Sequence, residues 1–417
     1  MSEWEETTLG EILELITDYH ANGSYKTLKE NVDLLDRKDF AVMIRTTNFE
    51  QNNFSENLKY INEDAYYFLK KSTVYPGDII MNKIANAGSV YFMPNLYCPV
   101  SLAMNLFLLR VNRQKANQHF IFYYLKINES YVKQFAEGSV TKTITKNAVR
   151  NLVIRKPSIE NQNGIVRVIE SIENKIDNLR RQNETLEEIA RSIFKHWFID
   201  FEFPNADGKP YKSSGGAMVR SDLGDIPEGW RVFPLDEVAD FLNGIALQKY
   251  PSDNKDNFLS VIKIRELRTG ITNATDKASV DIPTKYIIDN GDIIFSWSGS
   301  LDVVIWNFGK GALNQHLFKV TSSKYPKWLY YYWTLNYLSH FQNIAKSKAT
   351  TMGHIQRKHL TEALCNIPDA EFLEQADRII SPVLLKNISN ALQIQTLTKT
   401  RDALLPKLMS GQLRVKE

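Results

Sequence analysis

At 417 residues the chain exceeds what one hydrophobic core usually serves, so two domains are expected, and 43% hydrophobic with 24% charged residues is the balance of a globular protein rather than a disordered one. A net charge of +3 excludes a global positive field, so any nucleic-acid surface must come from local Lys and Arg clusters. Cys98 and Cys365 are isolated, which argues against a disulfide frame or a zinc ribbon and places both in the interior of a protein from a reducing compartment; with no signal segment and no apolar run of about 18 residues, a cytoplasmic location is expected.

Residues 1–157 read as a mixed module. Short β-like runs rich in Tyr and Phe occur at 40–44, 78–81, 90–93 and 106–111, punctuated by Gly and Pro. A helical stretch over 119–135 follows, then a polar loop over 138–145 and an apolar run ending at Pro157. The period then changes. Ile165, Ile169, Ile172, Ile176, Leu179, Asn183, Leu186, Ala190, Ile193 and Trp197 alternate at spacings of four and three, a heptad seam that predicts a coiled-coil helix over 158–198. Asn183, polar and alone on that seam, is the type of residue that fixes register against a partner helix.

Residues 199–229 have linker composition, with Pro204, Gly208, Pro210, Gly215, Gly216, Gly224 and Pro227. A second module, 230–368, repeats the β-like runs at 259–264, 292–297, 303–306 and 317–320 and a helix-like run at 328–344. A second long helix is expected over 369–412, with a looser seam. Pro382, preceded by Ser381, reads as a break and restart, and Pro406 and Gly411 as terminators. Each long helix has one apolar seam and needs a mate. Packing the two against each other, antiparallel, would carry one module at each end.

The two modules are copies. Pro76-Gly77-Asp78-Ile79-Ile80 returns as Asn290-Gly291-Asp292-Ile293-Ile294, and Met43-Ile44-Arg45 as Val261-Ile262-Lys263. Leu106-Phe107 meets Leu317-Phe318, Ile144 meets Ile355, Val149 meets Leu360 and Pro157 meets Pro368 at a constant offset of 211, which reads as a gap-free run. So large a period means duplicated domains rather than a solenoid. The expected fold is therefore mixed α/β (α+β), two similar modules separated by two long antiparallel coiled-coil helices, pseudo-two-fold and suited to a ligand that is itself two-fold.

Signals of catalysis are scarce. The chain has no GxxxxGK[ST] loop, no GxSxG elbow, no HExxH and no Asn/Asp/Ser-Pro-Pro-aromatic tetrapeptide of an amino-methyltransferase, and its seven histidines do not pair at ligand spacing. No catalytic residue, cofactor site or metal site is expected in this chain. Signals of binding are better. In the first module Arg45, Thr46 and Asn48 follow one strand, Lys83 and Asn86 another, and Ser139, Thr141, Lys142 and Lys146 fill a loop. The matching places of the second module hold Lys263, Arg265, Glu266 and Arg268, then Ser296, Trp297, Ser298 and Ser300, then Asn314, Gln315 and His316, and finally Lys346, Lys348, Thr350, Thr351, His354 and Arg357. Such donors reach phosphates and base edges. The framework repeats while these positions differ, as two readers of different sequences would.

Trp4 with Leu9-Gly10-Glu11, the stretch Leu223 to Trp230, the segment Ile193-Phe194-Lys195-His196-Trp197-Phe198 and the close Leu404 to Leu413 resemble the DNA specificity (S) subunit of type I restriction-modification systems, over essentially the whole chain. The resemblance implies a target recognition domain in each module, one for each half of a split double-stranded DNA site, joined by a conserved helical spacer. It implies partners: methyltransferase (M) subunits, two of them, carrying S-adenosylmethionine and the adenine chemistry, and restriction (R) subunits joining through them. On that reading Arg45, Arg265, Arg268, Asn314 and Gln315 are candidates for base edges and Lys83, Lys142, Lys146, Lys263, Lys346 and Lys348 for phosphates. The rivals are a coiled-coil scaffold that binds only proteins, with no salt-dependent DNA affinity, and a self-sufficient nuclease or methyltransferase.

Overall fold

A computed structural model describes residues 4–252, 256–347 and 353–415. The chain divides into two compact units, Met1–Asn174 with Lys399–Glu417, and Lys175–Thr398. In the first unit, strands Leu13–Asp18, Leu106–Val111, Ile79–Asn82 and Val90–Phe92 form an antiparallel sheet in that order. A second sheet orders Lys59–Ile61, Ala41–Ile44, Val100–Leu102 and Thr73–Val74, its central pair parallel. Strands Glu5–Thr8 and Val153–Lys156 close the ends of the module together. The inner strands read as unbroken apolar runs because both faces are covered. Side-chain alternation sorts them between cores: Ile79, Met81, Phe107 and Leu109 pack toward helix Gln118–Ile127, while Ile80, Leu106 and Leu108 meet Val42 and Ile44 of the other sheet.

The second unit repeats this plan strand for strand. Asp240–Asn243, Leu317–Thr321, Ile293–Ser296 and Asp302–Ile305 form the first sheet. Lys277–Ala278, Leu259–Ile262, Gly311–Leu313 and Ile287–Ile288 form the second, again with a parallel central pair. Arg231–Pro234 pairs with Leu364–Ile367. The duplicated Gly-Asp-Ile-Ile is the turn that starts the third strand of each first sheet. Gly77 and Gly291 sit at φ +88° and +84°, which glycine adopts without strain, and Asp78 and Asp292 accept the backbone N–H of Tyr75 and Asp289 at 2.8 Å. The first residue of the following helix ties down each glycine carbonyl, Gln118 Nε2 in one copy and Lys327 Nζ in the other, both at 2.7 Å.

The run at offset 211 is not gap-free. The strands begin at Leu106 and Leu317 and the short helices at Lys146 and Arg357, but the helices between them begin at Gln118 and Lys327, so a loop shortens by two residues and the length returns later. Each expected helical stretch is also two helices, Gln118–Ile127 with Glu129–Lys133 and Lys327–Asn336 with Leu338–Ser347. Cys365 is buried as expected, but Cys98 is exposed, beside a turn in which Tyr97 takes φ +55°.

The first long helix runs Ile159–Phe194 and ends in a π-turn, Lys195–Ile199; the second runs Ala370–Met409. Within each unit the two pack antiparallel. In the first, Ile165 and Ile169 share a core with Leu408 and Met409, and Glu173 accepts the Tyr123 hydroxyl at 2.5 Å while lying 3.8 Å from Arg401. In the second, Ala190 and Phe194 pack with Ala376, Ile380 and Leu384. Asn183 donates to the Asn387 carbonyl at 3.1 Å, and Asn387 donates back to the Asn183 carbonyl at 3.3 Å. The lone polar residue on the seam therefore has its counterpart on the other helix.

Pro382 does not break the second helix, contrary to expectation. It is exposed, as is Arg378, whose carbonyl its missing N–H leaves without a helical partner, while buried Ile380 and Leu384 hold the chain on either side. Pro406 likewise lies inside the helix, and Gly411, at φ +75°, follows its end. The segment of linker composition is ordered: Phe201, Phe203 and Ile226 enter the core of the second unit, Phe203 stacks on Tyr211 and Trp230 at 4.5 and 5.3 Å, and Met218–Ser221 pairs with Gly224–Pro227. Among the described residues no helix is long and apolar enough to cross a membrane.

Candidate nucleic-acid interface

The third strand of each first sheet ends beside the end of the first strand, and part of the candidate set gathers there. In the first unit Asp18 stands opposite Phe107 in the ladder, and Lys83 follows the strand Ile79–Asn82. Lys83 Nζ lies 2.9 Å from one Asp18 carboxylate oxygen and 5.4 Å from the centre of the Phe107 ring; Lys146, from the first turn of a short helix, lies 3.8 Å from the other oxygen. Burial disfavours the charged carboxylate, but the hydrogen bond and charge of Lys83, with Lys146, outweigh it and hold the Asp18 pKa below its ordinary value. Two cations around one carboxylate leave the cluster with one net positive charge.

A tight hairpin stands beside this cluster. Glu137 and Thr143 exchange both backbone hydrogen bonds at 2.8 Å, Ala85 N–H donates to the Lys142 carbonyl at 3.0 Å, and Ile144 N–H to the Lys83 carbonyl at 3.0 Å. Gly138, at φ +122°, has no room for a side chain, since a Cβ would meet the Thr141 carbonyl oxygen at 2.4 Å. Ser139, Thr141 and Lys142 are exposed on the hairpin, and Asn86, also exposed, accepts from Lys133 Nζ at 2.7 Å.

The second unit builds the same place from other residues. Asn243 stands opposite Phe318 as Asp18 stands opposite Phe107, Trp297 takes the position of Lys83, and Arg357 that of Lys146. Trp297 Nε1 donates to Asn243 Oδ1 at 3.0 Å, and the Arg357 guanidinium lies 5.7 Å from the Phe318 ring centre while donating to the Phe241 carbonyl at 3.1 Å. The rings of His316 and His354 flank Trp297 at 6.1 and 6.2 Å. The bridge between Ile84 and Thr143 returns as one between Ser298 and His354. Lys348, Thr350 and Thr351 lie outside the described residues.

The other candidates lie on or near short helices after the second-sheet strands. Arg45 caps the helix Thr46–Glu50 and donates to the Asn57 carbonyl at 2.9 Å; Thr46 is half-buried. Lys263 caps Ile264–Thr269 and pairs with Asp276, whose carboxyl that lysine holds below its ordinary pKa. Arg265 donates through Nε and a terminal nitrogen to buried Glu266, at 2.9 and 2.6 Å. Arg268 donates to Ser300 Oγ at 2.6 Å and lines, with Lys346, Asp302 and Gln342, a cavity of about 390 Å³.

Four expected DNA-facing residues are buried and engaged locally. Asn48 accepts the Arg45 N–H at 2.9 Å and donates to the Asn53 carbonyl at 3.2 Å, as the third residue of its helix closing on the cap. Ser296 Oγ bonds the Ser300 carbonyl at 2.8 Å and accepts the Asp302 N–H at 2.7 Å; Ser298 Oγ meets His316 Nδ1 at 3.0 Å; Asn314 Oδ1 accepts the His316 N–H at 3.3 Å. Gln315 and His316 are half-buried, Lys346 and His354 exposed. Sequence reasoning left Asp18 and Asn243 off the site, and named Trp297 and Arg357 among the loop positions without matching them to Lys83 and Lys146; matching the copies at the strand ends, beyond the run at offset 211, was the signal that joins them. Among the described residues no cluster of His, Cys, Asp and Glu suits a metal ion.

A duplicated scaffold with unlike side chains at one repeated place defines a protein with two related recognition surfaces. Residues 1–188 and 227–396 match the family model described as the type I restriction modification DNA specificity domain, and the chain belongs to that family. Recognition of DNA sequence is its function, and a scaffold that binds only proteins is not favoured. It is 29% identical over 310 residues to the type I restriction enzyme MjaIX specificity subunit of Methanocaldococcus jannaschii, covering 71% of this chain and 69% of that one. It is 23% identical over 482 aligned residues to the HindI specificity subunit of Haemophilus influenzae, covering 99% of this chain and all of that one. The crystal structure of a type I restriction-modification system S subunit from M. genitalium has the same fold, with TM-score 0.59 over 97% of this chain and 96% of that one at 13% identity.

Proposed function

We propose that each copy is a target recognition domain, 1–157 for one half of a split double-stranded DNA site and 230–368 for the other, with the helices 158–198 and 369–412 as the spacer. The observation that carries this reading is the repeated strand-end cluster, Asp18–Lys83–Lys146 in one copy and Asn243–Trp297–Arg357 in the other: the same backbone positions, with different chemistry. Major-groove edges differ in donors, acceptors and methyl groups, so two sets of side chains on one scaffold read two sequences. Lys142, exposed beside the first cluster, and Lys346, exposed on the cavity it lines with Arg268, are suited to phosphates, and Arg268 to a base edge or a phosphate.

On this reading the chain supplies no chemistry. Two methyltransferase subunits that hold S-adenosylmethionine dock on it, restriction subunits join through them, and the target adenine is flipped into a partner's pocket, since its amino group is out of reach within the stack. Co-purifying the chain with the methyltransferase encoded beside it and mapping methylated adenines tests the proposal. A bipartite site with a fixed gap is expected. Methylation without sequence preference, or methylation by this chain alone, contradicts it.

A further inference from the structure

We infer that Val140 reads the C5-methyl group of a thymine in the half-site of the first unit. The inference rests on the DNA-reading function proposed above and names one specificity residue within it. Val140 is 97% exposed, an apolar side chain that folding gives nothing to pack against. It sits at the tip of the Glu137–Thr143 hairpin, whose base is clamped by the paired 2.8 Å bonds between those residues and tied to the strand-end cluster through Ala85 and Lys83. The tight Gly138 turn fixes the approach of the tip.

The surroundings specify the kind of surface Val140 meets. Ser139 and Thr141 offer hydroxyls and Lys142 an ammonium on either side, and the neighbouring cluster carries net positive charge, so the tip faces a polyanion. A protein partner with an apolar pocket would be better matched by an apolar rim than by this one. On the base edges of the major groove, which admits a two-stranded ribbon, the apolar group is the thymine C5-methyl. A β-branched side chain is stiff at χ1, so Val140 presents its two methyls with little rotamer entropy to lose.

The test uses the full chain in its methyltransferase complex and the mapped target duplex. Each thymine of the half-site that stays unchanged when residues 230–367 are exchanged is replaced by uracil, which lacks only the methyl. At one position the replacement should weaken binding of the native complex about fourfold, the ~0.8 kcal/mol of one buried methylene at ~1.4 kcal/mol per decade. The same replacement should leave the V140A complex unaffected, and V140A should unfold at the native temperature because the side chain touches nothing in the fold. Uracil effects of equal size in native and V140A complexes, or a half-site with no T·A pair, overturn the inference while the DNA-reading function stands. If the native complex binds no specific sequence, the proposed function falls with it.

Discussion

Where the first unit places an ion pair, Asp18 with Lys83, the second places an indole on an amide, Trp297 with Asn243. Both pairs span the same two strand ends, and both lie beside an equivalent phenylalanine, Phe107 or Phe318. The scaffold thus requires a link across this point and leaves its chemistry open. A charged link in the first copy keeps its lysines close to one carboxylate; a neutral, aromatic one in the second sets Trp297 between His316 and His354, with Arg357 over the Phe318 ring. Variation that would disrupt a core is absorbed here, at the edge of a sheet whose interior is fixed.

The copies also differ in how the first long helix of each module is buried. Trp328, fully buried with Nε1 on Asp377 at 2.8 Å, occupies the second position of its helix, as His119 does in the first copy, where the side chain is 40% exposed and 3.3 Å from Glu170. Trp328→Ala should cost about 3–5 kcal/mol, with a cavity left behind and Asp377 keeping only its bond from Ser381, whereas His119→Ala should cost under about 1 kcal/mol; denaturant unfolding distinguishes them. Equal losses would mean that the two helices are not equivalent supports.

At the strand-end links the expected effects are smaller. Lys83→Met leaves Asp18 largely buried with only the more distant Lys146, a loss of about 1–3 kcal/mol, while Trp297→Phe keeps the ring and removes one neutral hydrogen bond, about 0.5–1.5 kcal/mol. Acid should separate the copies as well. The folded-state pKa of Asp18 lies below its ordinary value of 3.8, so its contribution is fully present above that value and is lost as pH falls below it. Asp18→Asn should therefore flatten the acid limb of stability between pH 3.8 and the native pKa, whereas Asn243, which does not titrate, contributes nothing there. An unchanged acid limb in Asp18→Asn would contradict the charged link.

Salt dependence gives the finest comparison. Lys142, exposed and contacting no carboxylate across the described residues, should lower the slope of log affinity against log salt by about 0.9 when replaced by Ala. Lys146→Ala should change it less, because Lys146 already lies near Asp18. Identical changes would mean that the ion pair opens when DNA binds.

Much of this plan was legible in the sequence because duplication wrote it twice. The Gly-Asp-Ile-Ile turn, the strands at 106–111 and 317–321 and the heptad seam all carry local periodicity or a backbone requirement that survives reading in one dimension. What failed did so where solvent or tertiary contact decides. Pro382 is tolerated on the exposed side of its helix, where the carbonyl it leaves without a helical partner belongs to exposed Arg378, and the Gly- and Pro-rich segment before Trp230 is ordered because Phe201 and Phe203 find a core that composition does not reveal. The polar residues divided on burial: Asn48, Ser296, Ser298 and Asn314 hold loops, and only exposure separates them from Ser139, Lys142, Lys346 and Arg268.

The central claim, that the two copies read independently, is tested most directly by exchanging residues 230–367 for the equivalent module of a relative and mapping the methylated adenines of the reconstituted complex. The account predicts that one half of the site changes while the other half and the gap between them persist. A change in both halves, or in neither, would contradict it.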